Sequence, residues 1–355
     1  MRIENVRVRQ VVMPRLDPTW RTASYAAASV DTVILEIDAE GASGIGGIAA
    51  RPPGRGTPAG DMAAQIDGAV RRILVGADAI EHTELIAKLR AAGVDRSVVT
   101  AVDMALWDLL GKAKGLPFHA FWGGAAQRSL PIVRMVGIKS PRDLVAATGE
   151  MMEEGFSHFK VKLGTGVAED IERIRALRSE YGDAPWIAID GNGAYSVDDA
   201  IELSRGLEAF DVRLIEQPID YTDIDGLARL TAASPIPVLA DQSITGLEAA
   251  LEVCQRRAAH MVSIKLGQAG TMDECRRVAE MCLAFGVRVH VGGTGRPAVI
   301  DAAHAQLVAS IPGIEPECEV GECLALTGDI TGGMTIRDGA WEITDSPGLG
   351  VTIVA

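Results

Sequence analysis

Two lysines in the run Phe159–Leu163 have the spacing of a paired acid/base site. Successive side chains of a strand point to opposite faces, so Lys160 and Lys162 share one face while Val161 and Leu163 share the other. Burial of two ammonium groups on one face disfavours their charged forms, which lowers a lysine pKa and lets the amine accept a proton near neutral pH. The alternative is a strand end whose two lysines reach solvent, and the run alone favours neither interpretation.

Carboxylates end three consecutive apolar segments further along the chain, at Asp190, Glu216 and Asp241. One such carboxylate is more often the N-cap of the next helix or part of a salt bridge. Three of them at equivalent ends of parallel strands would repel one another strongly unless a hard cation lay among them. All-oxygen ligation suits Mg²⁺, with Mn²⁺ as a substitute, so these three residues are the predicted metal ligands.

A third lysine, Lys265, ends a later apolar segment. Lys162 follows the second segment of a repeating series and Lys265 the sixth, and strands two and six of an eight-stranded barrel face each other across its mouth. A carboxylic acid bound to the metal would then have its α-carbon between the two lysines. One lysine would remove the α-proton while the metal stabilised the enediolate that forms.

The elements that would position these residues alternate from about residue 130. Eight short apolar strands are predicted, over Ile132–Ile138, His158–Gly164, Trp186–Asn192, Arg213–Pro218, Pro237–Ser243, Met261–Gly267, Arg288–Gly293 and Glu317–Gly321. Helices are predicted between them, for example over 168–180, 197–209, 246–257 and 271–285. This alternation favours a (β/α)₈ barrel, whose chemistry lies at the carboxyl ends of its strands. A doubly wound sheet is the structural rival, and the lack of a GxGxxG motif at the first βα turn counts against it.

Residues 1–125 have a different pattern, which predicts a compact α+β unit. Its predicted strands and helices are 2–13, 30–38, 61–75, 79–91 and 96–114. Two loops, one around Trp20 and one over Arg51–Gly56, are predicted to be mobile. Residues 126–325 are predicted to form the barrel, and the tail, 326–355, to return and pack on the first unit.

The composition argues against several classes of partner. The chain has 355 residues, of which 48% are hydrophobic, enough for two domains or one large barrel with additions. A formal net charge of −14 argues against nucleic acid and anionic membranes as partners. The sequence has no apolar run of transmembrane length and no signal-peptide pattern. Five cysteines without a CxxC pair predict reduced thiols and a cytoplasmic location.

Six residues together resemble the active-site array of the enolase superfamily, and within it the muconate lactonizing enzyme subgroup of the mandelate racemase/muconate lactonizing enzyme family: Lys160, Lys162, Asp190, Glu216, Asp241 and Lys265. The segment Ala101–Leu109, with Gly123-Gly124, also resembles the family's join between cap and barrel. The resemblance implies an N-terminal α+β capping domain, completed by the C-terminal tail, over a modified (β/α)₇β barrel. A base working with Mg²⁺ is a general property of that superfamily.

The same resemblance implies roles for the site residues. Mg²⁺ would be held by the three carboxylates, and Lys162 and Lys265 would act as acid and base. Lys160 would tune Lys162 and contact the substrate carboxylate. The loops around Trp20 and Arg51–Gly56 would close over a small-molecule carboxylate substrate, and the protein is expected to be a homo-oligomer.

Two departures from the family pattern concern the finer assignment. Many relatives have Glu where this chain has Gln242, and the change removes a negative charge beside the metal ligands. The mandelate racemase branch uses a His on the seventh strand, but His290 falls two positions short of that place and is predicted to be structural. His158, His260 and His304 are likewise predicted to be surface or packing residues.

Five further residues are candidates for substrate contact: Trp20, Asn192, Thr294, Arg296 and Glu319. Glu319 is either a substrate contact or a hydrogen-bond acceptor within the barrel. Arg296 either binds a distal anionic group or pairs with an acidic side chain.

The predicted reaction begins with abstraction of the α-proton of a carboxylate substrate. Two opposed lysines suit a racemase or epimerase of amino-acid derivatives, such as N-acyl amino acids, dipeptides or proline-type rings. Muconate cycloisomerisation is the first alternative, because it needs only one lysine as an acid. A dehydration, as in o-succinylbenzoate synthesis or hydroxyproline dehydration, is the second. A metal-binding barrel without turnover is the third, and buried like charges argue against it.

Overall fold

A three-stranded antiparallel sheet forms the first part of the fold. The computed structural model describes residues 1–51, 56–293 and 295–354. In this sheet β1 (Ile3–Pro14) pairs with β2 (Ser29–Ala39), and β2 pairs with β3 (Ala42–Ala49). The central strand, β2, is buried along most of its length.

Four α-helices of the described residues follow and, with the sheet, make up the capping unit: α1 (Ala59–Gln65), α2 (Arg71–Leu74), α3 (His82–Ala91) and α4 (Arg96–Lys114). A π-helical turn over Ile66–Val70 joins α1 to α2. The helix α4 lies directly on β3 because Gly44 and Gly46 have no side chains. A Cβ atom at either glycine would lie 2.0 Å from a backbone oxygen of α4.

A parallel sheet follows, in which seven strands within the described residues lie in the order of the chain. Its strands are β5 (Val133–Val136), β6 (His158–Lys162), β7 (Trp186–Asp190), β8 (Val212–Glu216), β9 (Val238–Ala240), β10 (Met261–Ile264) and β11 (Arg288–Val291). The helices that cover it are α5 (Pro141–Glu153), α6 (Val167–Tyr181), α7 (Val197–Gly206), α8 (Ile224–Ala233), α9 (Leu247–Gln255), α10 (Met272–Ala284) and α11 (Ala298–Ser310). The short strand β4 (Ser129–Pro131) precedes them. The predicted alternation of strands and helices is confirmed, and all carboxyl ends meet at one rim.

The eighth strand, predicted over Glu317–Gly321, is not a regular strand. The segment contacts β5 through the carbonyl oxygen of Cys318, and β11 through the amide of Glu319. Pro316, just before it, has no N–H to contribute to a ladder. The segment therefore makes single bridges, but it lies between the first and last strands and closes the barrel.

Two separate apolar cores pack on the two sides of the barrel wall. Inside the barrel, the barrel floor is formed by Ala188, Leu214, Leu239 and Met261. Outside it, a larger core joins the wall to the surrounding helices and to the capping unit. Every residue of α11 is buried, because this helix packs on β3 of the cap as well as on the barrel.

The tail makes contacts with the capping unit. It contains β12 (Thr331–Gly332), β13 (Thr335–Arg337), β14 (Ala340–Glu342) and β15 (Thr352–Ile353). Leu326 forms an isolated bridge with Arg15 at the end of β1. The amide of Leu349 donates a hydrogen bond of 2.8 Å to the buried carboxylate of Asp108 in α4. None of the helices in the described part of the chain has the length and apolar character that crossing a bilayer requires.

Candidate active site

Strand register brings three of the predicted site residues into one row. Lys162 on β6 is paired with Asp190 on β7, and Asp190 is paired with Glu216 on β8. Residues paired across neighbouring strands face the same side of the sheet. Glu216 is paired in turn with Leu239 of the barrel floor, and Asp241 lies two residues further along the chain, so its side chain faces the same side.

Seven charged residues meet at the carboxyl ends of the strands and define the barrel mouth: Lys160, Lys162, Asp190, Glu216, Asp241, Lys265 and Glu319. All are buried except Lys265, whose side chain is 12% exposed. Burial of unpaired charges is costly, so each has to find a partner of opposite sign.

Lys160 is the most highly connected ammonium group of the mouth. Its Nζ lies 3.0 Å from Oε2 of Glu216 and 3.5 Å from Oδ2 of Asp190. It also forms an ion pair with Glu319. Three carboxylates therefore surround one lysine.

The other two lysines of the mouth each have one carboxylate partner. Lys162 forms an ion pair and a hydrogen bond with Asp190. The Nζ of Lys265 lies 2.7 Å from Oδ1 of Asp241, although this contact lacks hydrogen-bond geometry. The sequence places them on strand two and after strand six, and each contacts a carboxylate from an adjacent strand.

The lowered pKa predicted for a buried lysine does not hold for Lys160. Burial alone would lower its pKa, but the carboxylates of Glu216, Glu319 and Asp190 outweigh burial and raise the pKa well above its usual value. The pKa of Lys265 is also raised: burial lowers it, but the carboxylates of Asp241, Glu216 and Glu319 together outweigh burial. The sequence argument counted the repulsion between lysines and missed the carboxylates that surround them.

The described residues of the mouth fit a cation. Four carboxylates there face three ammonium groups, and Oε1 of Glu216 has no hydrogen-bond partner among the described residues. Burial and the neighbouring carboxylates raise the pKa of Glu216 well above its usual value, despite the nearby Lys160. A buried carboxylate oxygen without a partner is where a hard cation with oxygen ligands would be stabilising.

A second possible set of metal ligands shares Glu216 with the predicted set. Glu216, His290 and Glu319 offer atoms that all lie within 4.8 Å of one another. Burial lowers the pKa of His290 to about 4, so the imidazole is neutral and chemically able to bind a metal. Against this set, Oε2 of Glu319 already accepts a hydrogen bond of 2.5 Å from the amide of Gly293.

The remaining sequence candidates are placed as follows. Asn192 follows Asp190 with a positive φ of 46°, and its Oδ1 is buried without a partner among the described residues. Arg296 is buried and donates to Asp301 (2.5 Å) and to the carbonyl oxygens of Gly292 and Glu319. Its guanidinium is thus engaged within the protein. Thr294 and residues 52–55 of the predicted second loop lie outside the described residues.

The loop of the cap that carries Trp20 lies over the barrel mouth. The carbonyl oxygen of Arg21 accepts a hydrogen bond of 2.9 Å from the amide of Ile138, just after β5. Ala23 lies against Gly164, where an added Cβ would be 2.6 Å from the Cβ of Ala23. Gly164 comes two residues after Lys162, so this loop covers the end of β6.

A cavity of about 590 Å³ lies between the cap and the barrel mouth. Lys265 and the loop that follows it form one side of the lining, and Ala26–Asp31 with Ile48–Arg51 of the cap form another. The cavity is therefore the space in which a substrate would contact one of the predicted acid/base lysines.

Comparison with known proteins identifies the family. A family model described as "Enolase C-terminal domain-like" matches residues 143–355, and one described as "Mandelate racemase / muconate lactonizing enzyme, N-terminal domain" matches residues 3–123. The chain belongs to the mandelate racemase/muconate lactonizing enzyme family of the enolase superfamily.

Relatives within this family have different activities. The chain is 31% identical to an N-succinylamino acid racemase of Amycolatopsis sp, with 99% of this chain and 95% of the relative covered. It is 30% identical to a chloromuconate cycloisomerase of Pseudomonas putida, with 99% and 97% covered. It is similar to the solved substrate-liganded complex of the L-Ala-D/L-Glu epimerase from Bacillus subtilis, with a TM-score of 0.94, 26% identity and 100% of both chains covered.

Relatives at 26–31% identity include epimerases, racemases, cycloisomerases and a dehydratase. The protein is therefore an enzyme of the isomerase type, with the chemistry of the enolase superfamily.

Sequence reasoning missed two residues of this site, Gln217 and Arg15. Oε1 of Gln217 accepts hydrogen bonds from the amide of Asp241 (2.9 Å) and the hydroxyl of Ser243 (3.1 Å), so it holds the end of β9 against β8. Its positive φ of 32° is a signal that only the folded backbone shows. Arg15, at the end of β1, lines the cavity with its guanidinium over the ring of Trp20.

Proposed function

We propose that this protein is a Mg²⁺-dependent racemase or epimerase of an amino-acid derivative, acting by abstraction of the proton on the carbon next to a carboxylate. The observation that carries the proposal is the pair Lys162 and Lys265. These lysines come from strands two and six, and each contacts a carboxylate of the row that lies between them. The substrate class is an N-acyl amino acid, a dipeptide or a proline-type ring.

Asp190, Glu216 and Asp241 would hold the cation, with Mn²⁺ as a substitute for Mg²⁺. When bound, the cation supplies positive charge that stabilises the negative charge developing on the substrate carboxylate. We favour this set over Glu216, His290 and Glu319 because three carboxylates supply the all-oxygen ligation that Mg²⁺ prefers.

The three lysines have different roles in this proposal. Lys160 contacts three carboxylates, so it stays paired within the mouth and acts as a fixed positive charge. Lys162 and Lys265 each contact one carboxylate, and each is free to exchange that partner for the substrate. One of them removes the α-proton, and the other returns a proton to the opposite face.

Two alternative reactions also transfer a proton to or from the carbon next to the carboxylate. Cycloisomerisation of a muconate needs one lysine as an acid, and the similarity to a chloromuconate cycloisomerase supports it. Dehydration needs one lysine as a base, and the similarity to a cis-3-hydroxy-L-proline dehydratase supports it. The intact lysine pair supports racemisation over both.

The proposal is tested by ¹H NMR in D₂O with Mg²⁺ and a library of N-acyl amino acids, dipeptides and cyclic amino acids. We expect the α-proton signal of at least one compound to disappear and its enantiomer or epimer to appear. Solvent exchange with elimination of water, or conversion of a muconate alone, would replace the proposal with one of the alternatives. Mg²⁺ binding without exchange of any α-proton would support a barrel that binds metal without turnover.

We also propose a cytoplasmic, homo-oligomeric enzyme. The five cysteines are buried and free, as expected in a reducing compartment. Light scattering coupled to size exclusion would measure the oligomer directly, and a mass of one chain, 37.4 kDa, would contradict it.

A further inference from the structure

The cavity between cap and barrel is lined by several cationic groups, and most of them are engaged. Arg96 donates to the carbonyl oxygens of Thr245 and Ala269. Arg296 is paired with Asp301, and Lys265 with Asp241. Arg51 is exposed.

Arg15 differs from these groups because it is buried and its Nε lacks an acceptor among the described residues. Its exposed fraction is 7%, its Nε has no hydrogen-bond partner, and it makes no ion pair with any residue that the structure describes. Burial lowers the pKa of Arg15, and Glu322, Tyr25 and Asp17 offset this only in part. A buried guanidinium has five donors that need acceptors, so leaving them unmet is costly.

The guanidinium of Arg15 is held in place on both sides. Its Cζ lies 4.0 Å from the ring centroid of Trp20. On the other side is Gly295, where an added Cβ would lie 2.6 Å from one guanidinium nitrogen of Arg15. The backbone of Arg15 is fixed as well, by a hydrogen bond from its amide to Ala28 and by its bridge to Leu326. The group is therefore preorganised before a ligand arrives.

Arg15 and Lys265 line the same cavity. A substrate whose α-carbon lies at Lys265 therefore extends into a space that contains a guanidinium without an ion-pair partner among the described residues. Arg binds carboxylates through two parallel hydrogen bonds, and a buried pair of this kind is strongly selective.

We propose that Arg15 is a specificity-determining residue that binds a second carboxylate of the substrate, so that the natural substrate is a dicarboxylic amino-acid derivative. The second carboxylate is carried either by the N-acyl arm, as in an N-succinyl group, or by an acidic side chain, as in a dipeptide that contains glutamate. This inference rests on the proposed function for the position of the first carboxylate.

The first measurement compares each acid with its amide isostere, which has the same size but no charge. One pair is N-succinylglycine and N-succinamoylglycine, which are achiral and so report binding without inversion. The other pair is L-Ala-L-Glu and L-Ala-L-Gln. Calorimetric titration with Mg²⁺ present should show one acid bound about 10²-fold more tightly than its amide, because a buried charge pair is lost with the amide. The pair that shows this preference identifies the carrier of the carboxylate.

Variants then assign the preference to Arg15. Arg15→Met should bring the ratio of amide to acid dissociation constants to about 1, and Arg15→Lys should keep part of it, because a lysine retains charge but not the planar fork. Arg21→Met is the matched control: it removes the same charge from the same loop, but its side chain is exposed and outside the cavity lining. This control should keep the wild-type ratio.

A ratio near 1 in the wild type for both pairs would overturn the inference, whether or not any variant folds. A wild-type ratio retained in Arg15→Met would overturn it as well. Because a dissociation constant is obtained whether or not the ligand is converted, either outcome is distinct from a failure of the proposed function. That failure would appear as no α-proton exchange with either acid while the binding preference persists.

Discussion

The barrel floor and the barrel mouth are both largely buried, but the floor is apolar and the mouth is charged. The floor consists of Ala188, Leu214, Leu239 and Met261, whose side chains carry no charge. The mouth carries seven charged groups, each in contact with a group of opposite sign, and its carboxylates Asp190, Glu216 and Asp241 each lie two residues after a floor residue. Only a few residues along each strand separate the two layers. The difference shows that position along a barrel strand, and not burial, decides whether a residue serves stability or chemistry.

The two layers have opposite effects on stability. Burying a side chain such as Leu239 contributes about 1.5–3 kcal/mol. Burying ion pairs costs desolvation that their mutual attraction repays only in part. The mouth therefore contributes less to stability than the floor does. Substitutions in the floor should mainly change the free energy of unfolding, and substitutions in the mouth should mainly change activity.

Removal of the cation should have the largest effect on turnover. It acts on the mouth and leaves the floor unchanged. We expect treatment with EDTA to reduce turnover below detection and added Mg²⁺ or Mn²⁺ to restore it. Asp190→Asn should do the same without rescue, whereas the exposed Asp183→Asn should keep full activity. Metal content is measured by elemental analysis.

Full turnover in protein shown to be free of metal would refute the hypothesis that the reaction needs a cation bound at the mouth. The ligand set is tested in the same assay. If His290→Asn abolishes Mg²⁺ binding and Asp190→Asn does not, the cation is bound by Glu216, His290 and Glu319 instead.

Replacement of either acid/base lysine by alanine should have the next largest effect on turnover. Each lysine reaches the α-proton of one enantiomer, so Lys162→Ala should lose deuterium exchange for one and Lys265→Ala for the other. Neither variant should invert the substrate at an appreciable rate, since loss of a positioned acid or base costs about 10²–10⁴-fold. The exposed Lys114→Ala is the control.

Lys265→Arg sharpens this test, because arginine keeps the charge and holds its proton more tightly. A two-base racemase should lose inversion in this variant, whereas a purely electrostatic role would survive in part. If Lys162→Ala and Lys265→Ala both lose exchange of the same enantiomer, a one-base cycloisomerase or dehydratase replaces the racemase.

A cavity in the floor should affect stability and leave the mouth unchanged. We expect Leu239→Ala to lower the free energy of unfolding by about 2–5 kcal/mol, measured by denaturant titration. The affinity for Mg²⁺ should stay within about twofold of the wild type. Leu247→Ala removes the same atoms from an exposed position and should cost far less.

If Leu239→Ala lost Mg²⁺ affinity as well as stability, the floor and the mouth would not be independent. The two layers would then behave as one unit.

The smallest expected effect is that of Trp20→Ala in the cap, which lies outside both layers. The ring supports the guanidinium of Arg15, and such a contact is worth about 0.5–2 kcal/mol. We therefore expect kcat/KM to fall about tenfold, mainly through KM, with Mg²⁺ affinity retained. Trp20→Phe keeps a ring and should recover most of the loss. Unchanged kcat/KM for every substrate in Trp20→Ala would show that this loop takes no part in the site.

The sequence predicted which residues lie at the strand ends, because the alternation of strands and helices fixes the carboxyl rim. It did not predict their partners. The raised pKa of Lys160 follows from three carboxylates that reach it from β7, β8 and the closing segment, and these contacts depend on the stagger of the strands. The irregular eighth strand has a partial signal in the sequence, because Pro316, just before it, has no N–H to contribute to a ladder.

Arg15 had no sequence signal. One arginine among many at the end of a strand does not indicate a binding residue. Its burial, its stacking on Trp20 and an Nε without an acceptor among the described residues appear only when β1, the loop after it and Gly295 lie together.

The contact between Asp108 and the tail also bears on how the chain is assembled during synthesis. Asp108 is fully buried and its carboxylate accepts hydrogen bonds from Ile45, Lys112 and Leu349. The last of these donors is synthesised after every strand of the barrel. The sheet and helices of the cap precede the barrel in the chain, but the cap is completed only after the barrel has been made. A ribosome that stalls inside the barrel therefore presents a cap that lacks one of the donors to its buried carboxylate.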